Sequence, residues 1–97
     1  MTPPNTVTGM IAQEEINRMR WAARRGMLEL DLVLEPFVTA RYARLGVADR
    51  RNFQRLMQCE DQDLFAWLMQ RAEPDDEEFA GIVRQILQFT RAAAEDR

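Results

Sequence analysis

Few residues in this chain could do chemistry by themselves. Its 97 residues include no histidine and a single cysteine, Cys59. Histidine-dependent triads and the commonest general acid/base group are therefore ruled out. One thiol without an imidazole cannot complete a four-ligand zinc site. Gly9, Gly26, Gly46 and Gly81 lie too far apart to form a phosphate-cradling loop. Two acidic runs, Glu60-Asp61-Asp63 and Asp75 to Glu78, could attract a divalent cation. Neither has the ligand spacing and central glycine of an EF-hand, and helix capping explains both. Cys59 stands beside two acids, which should raise its thiol pKa and leave it inert. No catalytic, cofactor-binding or metal-binding residue is expected here, and the chain does not read as an enzyme.

The stretch "RRGMLELD", Arg24 to Asp31, fits a purely structural explanation poorly. Glycine in a helix interior is about 1 kcal/mol worse than alanine. A C-cap would account for Gly26 alone, and a helix start would account for Glu29 and Asp31. Neither explains two arginines clustered at a bend with Glu29 one turn away. A bend of this kind exposes backbone to close approach, flanked by charges of both signs.

The elements that must hold this bend read as helical throughout. One helix is expected from about Ile11 to Arg24, with Ile16, Met19 and Ala23 at helical spacing. A second, from about Leu28 to Ala43, offers Leu30, Leu34, Phe37, Val38 and Tyr42 for burial. Pro36 should kink or split it, because proline removes a helical hydrogen bond. Asp49 is the expected N-cap of a third helix, about Arg50 to Cys59, burying Phe53, Leu56 and Met57. A fourth follows "CEDQD" with Leu64, Trp67 and Leu68 on one face. A fifth follows "AEPDDEE" with Phe79, Ile82, Val83, Ile86 and Leu87. The expected fold class is all-α, a small antiparallel five-helix bundle. Residues 1–9 read as a disordered N-terminal tail, 10–92 as one helical-bundle domain and 93–97 as a frayed C-terminal tail.

Composition narrows the partners. The chain has 46% hydrophobic and 30% charged residues, ordinary for a globular protein. No window approaches the ~20 apolar residues that a membrane helix needs. "MTPPNTVTGM" has neither the basic nor the apolar region of a secretory signal, and a lone cysteine suits a reducing compartment, so a cytoplasmic chain without membrane insertion is expected. Net charge is −3: residues 1–59 carry nine Arg against six acids, and residues 60–97 four Arg against ten. All thirteen basic residues are Arg, the better residue for bidentate contacts. An acidic chain without interleaved aromatics does not suit nucleic acid.

Arg25, Gly26 and Glu29 spell R-G-x-x-E, and with them the chain resembles the succinate dehydrogenase flavinylation factors, small FAD assembly factors of bacteria and mitochondria. Arg18 and Trp21 upstream, Pro36-Phe37 downstream, "LMQCEDQDLFAWLM" and the acidic turn before the last helix agree, over about residues 14–90. Arg20 and Ala23 depart from the residues that often stand there in bacterial relatives. The resemblance implies a five-helix bundle that binds the flavoprotein subunit of succinate dehydrogenase, and in bacteria also that of fumarate reductase. It implies that the factor promotes covalent attachment of FAD to the partner and binds no cofactor stably itself; the chain is expected to be a monomer. By position, Arg25, Gly26 and Glu29 would meet the flavoprotein, with Arg18, Trp21 and Arg24 flanking them. Two other classes stay open: an antitoxin-type binding protein of a toxin–antitoxin pair, and a generic helical adaptor.

Overall fold

The computed structural model describes residues 12–95, and the expected tail over residues 1–9 lies outside them. Among the described residues there are five α-helices and no strand, a small all-α bundle as expected. They are α1 (Gln13–Ala22), α2 (Leu28–Arg41), α3 (Val47–Leu56), α4 (Asp61–Leu68) and α5 (Glu77–Glu95). A 3-10 turn, Tyr42–Arg44, extends α2. The last helix stays helical through Glu95, into the stretch read as a frayed end. No helix among the described residues is long and apolar enough to cross a membrane.

α2 organises the core and packs against α1, α4 and α5. Its buried residues, Leu30, Leu34, Phe37 and Val38, recur at i, i+4, i+7 and i+8, the stripe of a helix with one face inward. Pro36 does not split the element as the sequence allowed; α2 is continuous across it. Pro36 is exposed and Leu32, four residues earlier, is 66% exposed. The carbonyl that loses its amide partner is therefore on the solvent side, where water can replace the missing bond.

Phe37 stacks with Phe53 of α3 at 5.7 Å and meets Phe89 of α5 edge-on at 5.8 Å. Tyr42 closes the cluster against Phe53 at 5.6 Å. Ala23, Leu56 and Met57, Leu64 and Leu68 of α4, and Ile82, Val83 and Ile86 of α5 complete the buried set. Trp67 is half-buried, seated on the core and 5.9 Å from the Phe79 ring.

The helix ends show how local chemistry sets the connections. α3 starts at Val47 with Gly46 as its N-cap, so Asp49 is not the cap; it sits in the first turn, where its charge suits the dipole. At the start of α5, Asp76 accepts hydrogen bonds from the amides of Glu78 (2.7 Å) and Phe79 (3.2 Å), which is the expected capping. These bonds hold the Asp76 carboxyl below its ordinary pKa. Arg55 ties this corner to α3, donating to Glu78 at 2.7 Å and lying 4.7 Å over the Phe79 ring. α4 ends in a Schellman arrangement without glycine. Gln70 takes a left-handed φ of 61°, and the Arg71 amide donates to the Ala66 carbonyl at 2.8 Å.

α1 is held differently, because it has no fully buried residue. Ile16 and Met19 rest on the core, and Glu15 supplies a polar latch. The Glu15 carboxylate accepts from the Tyr42 hydroxyl at 2.7 Å and from Gln54 at 3.3 Å. Gln54 also donates to the Tyr42 oxygen at 2.8 Å, and Arg50 lies 3.6 Å from Glu15. Burial, with Glu15 beside it, pushes the Tyr42 hydroxyl up to about 12.

Candidate functional site: the turn between the first two helices

Five residues, Ala23 to Met27, connect α1 to α2. Ala23 is fully buried and anchors the turn to the core. Gly26 is exposed and has φ +79°, the left-handed region that favours glycine. A Cβ built there would meet nothing within 4 Å. Glycine is needed here for backbone conformation, since the space around it is open. It stands three residues beyond the α1 C-cap, so it is a loop glycine and not a helix cap.

Arg25 faces inward. Its guanidinium donates Nε to Asp61 (2.7 Å), Nη1 to the carbonyls of Ala22 (2.9 Å) and Met57 (2.8 Å), and Nη2 to the carbonyl of Cys59 (2.8 Å). One side chain thus ties down carbonyls at the C-terminal ends of α1 and α3 and pairs with an acid in the first turn of α4. A cation suits the negative ends of two helices, and a planar fork can address several acceptors at once. The Arg25 amide donates to Asp31 of α2 at 2.8 Å, which fixes the turn from its other side. The sequence placed Arg25 on a partner-facing surface; here its guanidinium is taken up by acceptors within the chain. Only 15% of the side chain is exposed.

The expectation for Asp61 also changes. Its carboxylate pairs with Arg25, and the α4 N-cap, Glu60, makes no side-chain cap bond. Cys59, whose carbonyl Arg25 holds, has its thiol pKa pushed up, as expected. Burial is the larger cause and Asp63 the next, with Arg25 and Arg55 opposing.

The other sequence-derived residues face outward. Glu29 is exposed and joins none of the side-chain hydrogen bonds or ion pairs among the described residues. Arg18 is exposed on α1. Trp21 is 71% exposed, and the Arg24 guanidinium lies 5.4 Å from its ring centroid. Arg24 also pairs with Glu35 of α2 at 3.0 Å, linking the outer faces of the two helices. Asn17, Arg20, Trp21 and Arg24 line a shallow cleft of about 270 Å³. A larger cleft of about 420 Å³, with Trp67, Arg71 and Arg84 in its walls, contains none of these residues.

Sequence reasoning missed Asp31 and Asp61 as the partners of Arg25, and Glu35 as the partner of Arg24. Asp61 lies 36 residues from Arg25, and no local pattern connects them. Chemically, the turn and the start of α2 present a fixed backbone bend, a carboxylate, Glu29, without an ion-pair partner among the described residues, and several cationic or aromatic side chains. They can bind and orient a partner surface.

Comparison of the sequence with known proteins points to one family. The family model described as "flavinator of succinate dehydrogenase" matches residues 17–90, which include the whole turn, α2 to α4 and most of α5. The FAD assembly factor SdhE of Pseudomonas savastanoi pv. phaseolicola is 53% identical over 78 residues, covering 80% of this chain and 93% of that protein. The protein of the same name from Pseudomonas aeruginosa is 49% identical over the same shares. That of Serratia sp. is 49% identical over 69 residues, 71% of this chain and 78% of the relative. The chain belongs to the family of flavinators of succinate dehydrogenase.

Proposed function

We propose that this chain is a cytoplasmic monomer that binds the flavoprotein subunit of succinate dehydrogenase through the α1–α2 turn and promotes covalent attachment of FAD to that subunit. The flavoprotein subunit of fumarate reductase is a second partner of the same kind. FAD belongs to the partner, and this chain acts as an assembly chaperone with no catalytic group of its own. One observation carries the reading. Of the signature, Gly26 stands exposed on the α1–α2 turn and Glu29 stands exposed in the first helical turn of α2, and the connection is held from inside by Arg25 and Asp31. The division of labour is physical: Arg25 positions, while Gly26, Glu29, Trp21, Arg24 and Arg18 make contact.

A protein of this kind can favour a reaction on its partner only through differential affinity. By binding one conformer of the flavoprotein more tightly, it raises the population of that conformer. A rigid turn serves this well, because little ordering entropy is lost on docking. Glycine lets backbone come close, and Glu29 can accept a charge-assisted hydrogen bond from the partner.

The test is reconstitution. The flavoprotein subunit, produced without any flavinylation factor, is mixed with FAD and this chain, and covalent flavin is read by in-gel fluorescence after denaturation. Capture of the subunit by the chain, with a faster rise in covalent flavin, is the expected result. No capture and an unchanged rate would refute the reading and favour an antitoxin or adaptor role.

A further inference from the structure

Three of the four large hydrophobic side chains that stand out most on the described surface belong to α1 and α2, on either side of the Gly26 turn. Trp21 is 71% exposed, Leu28 68% and Leu32 66%. On α2, Leu28 and Leu32 are one turn apart, and the exposed Pro36 follows a turn later. They form a second stripe, opposite the buried Leu30, Leu34, Phe37 and Val38. Trp21 belongs to α1, and Arg24 joins it to α2 by covering the Trp21 ring while pairing with Glu35. Glu35 is three residues from Leu32 and shares its side of the helix. Glu29 borders the stripe, and Gly26 lies just ahead of it.

We propose that Trp21, Leu28 and Leu32 form an apolar anchor patch onto which the flavoprotein subunit docks an uncharged surface, with the Arg24–Glu35 pair as its rim and Gly26–Glu29 at its end. This rests on the flavoprotein reading above. Exposed leucines at i and i+4 contribute nothing to the core, and clustered exposed apolar side chains mark interaction surfaces. A tryptophan braced by an arginine is a common energetic centre of such surfaces. The rim charges neutralise each other across 3.0 Å, so the patch favours an apolar partner over a charged one. A second copy of this chain is the weaker occupant. Pairing two copies through this patch would bury the adjoining Gly26–Glu29 turn of each and hide the signature.

The experiment measures binding of the flavoprotein subunit by calorimetry for wild type, the double variant Leu28→Gln/Leu32→Gln, Trp21→Ala and the signature variant Glu29→Ala. Light scattering of the chain alone runs alongside. Leu28 and Leu32 are exposed and glutamine suits a helix, so the double variant should fold and melt like wild type. The expected result is at least tenfold weaker binding for the double variant and for Trp21→Ala, with little change in the dependence on salt. Wild-type affinity in the double variant, while Glu29→Ala weakens binding, would overturn the patch and leave the flavoprotein reading standing. Failure of the wild-type chain to bind the subunit would overturn both. A dimeric wild type that the double variant makes monomeric, with subunit binding unchanged, would assign the patch to self-association and also overturn the proposal.

Discussion

Arg25→Ala removes four hydrogen bonds at once: those to the Ala22, Met57 and Cys59 carbonyls and the ion pair with Asp61. Hydrogen bonds from a charged donor contribute about 1.5–3 kcal/mol each when well shielded, but the values do not add and water can enter the gap. The Arg25 side chain is 15% exposed, while Asp61 is 41% exposed, so the ion pair is screened and its share is small. The carbonyls matter more, because they sit at helix ends that Arg25 joins. A loss of about 2–4 kcal/mol is expected, at or below that for breaking a buried pair. At roughly 4–8 °C per kcal/mol for a domain of this size, the melting temperature should fall on the order of 10–30 °C. Arg25→Lys should recover only part of this, since an ammonium cannot span the same acceptors. Arg24→Ala makes the contrast, because its pair with Glu35 is exposed and it should melt near wild type. The assay is thermal and urea unfolding by circular dichroism. If Arg25→Ala melts within a few degrees of wild type, the inward guanidinium is not a structural clamp and the division of labour in the turn is wrong.

Leu68→Ala should lose about 2–5 kcal/mol through a cavity in the core, and its flavinylation should recover at temperatures where it stays folded; a folded variant that still fails would show that Leu68 acts elsewhere. Because the Tyr42 hydroxyl is raised to about 12 in the fold, the folded state holds that proton more tightly than the unfolded chain does. Stability should therefore fall as pH rises from the ordinary tyrosine value of about 10 toward 12, and Tyr42→Phe should flatten that limb of the urea midpoint against pH. The sign is opposite for Asp76, whose carboxyl is depressed by the amides it caps. Its contribution is complete above the ordinary carboxylate range and is lost as pH falls through the lower folded value, so Asp76→Ala should soften the acid limb.

The core was legible because burial in a small helical bundle follows local periodicity. Leu30, Leu34, Phe37 and Val38 lie inward as their spacing required. The same periodicity holds the exposed Leu28–Leu32 stripe, but hydrophobic character alone does not say which stripe faces in. Pro36 did not end the helix, because its penalty depends on where the orphaned carbonyl points, and that is set by the tertiary face. Asp49 lost the cap because Gly46 let α3 begin three residues earlier. The signature marked the right turn, yet the direction of Arg25 depends on carbonyls 32 and 34 residues away. Such partners leave no local trace. Gly26 held a further lesson: its φ of +79° means that any side chain there strains the backbone, even in open space.

The most direct test of the central claim is covalent flavin per flavoprotein subunit for Glu29→Ala, Gly26→Arg and Gly26→Ala, each below its own melting temperature. Glu29→Ala should melt like wild type and lose one charge-assisted contact. That loss is about 1.5–3 kcal/mol, or roughly 10- to 100-fold in affinity. Both Gly26 variants should lose about 1–2 kcal/mol of stability to the left-handed backbone. Only Gly26→Arg, whose long side chain blocks close approach, should also lower covalent flavin strongly. Wild-type flavinylation by folded Glu29→Ala and Gly26→Arg would contradict the account and reduce the signature to a structural turn.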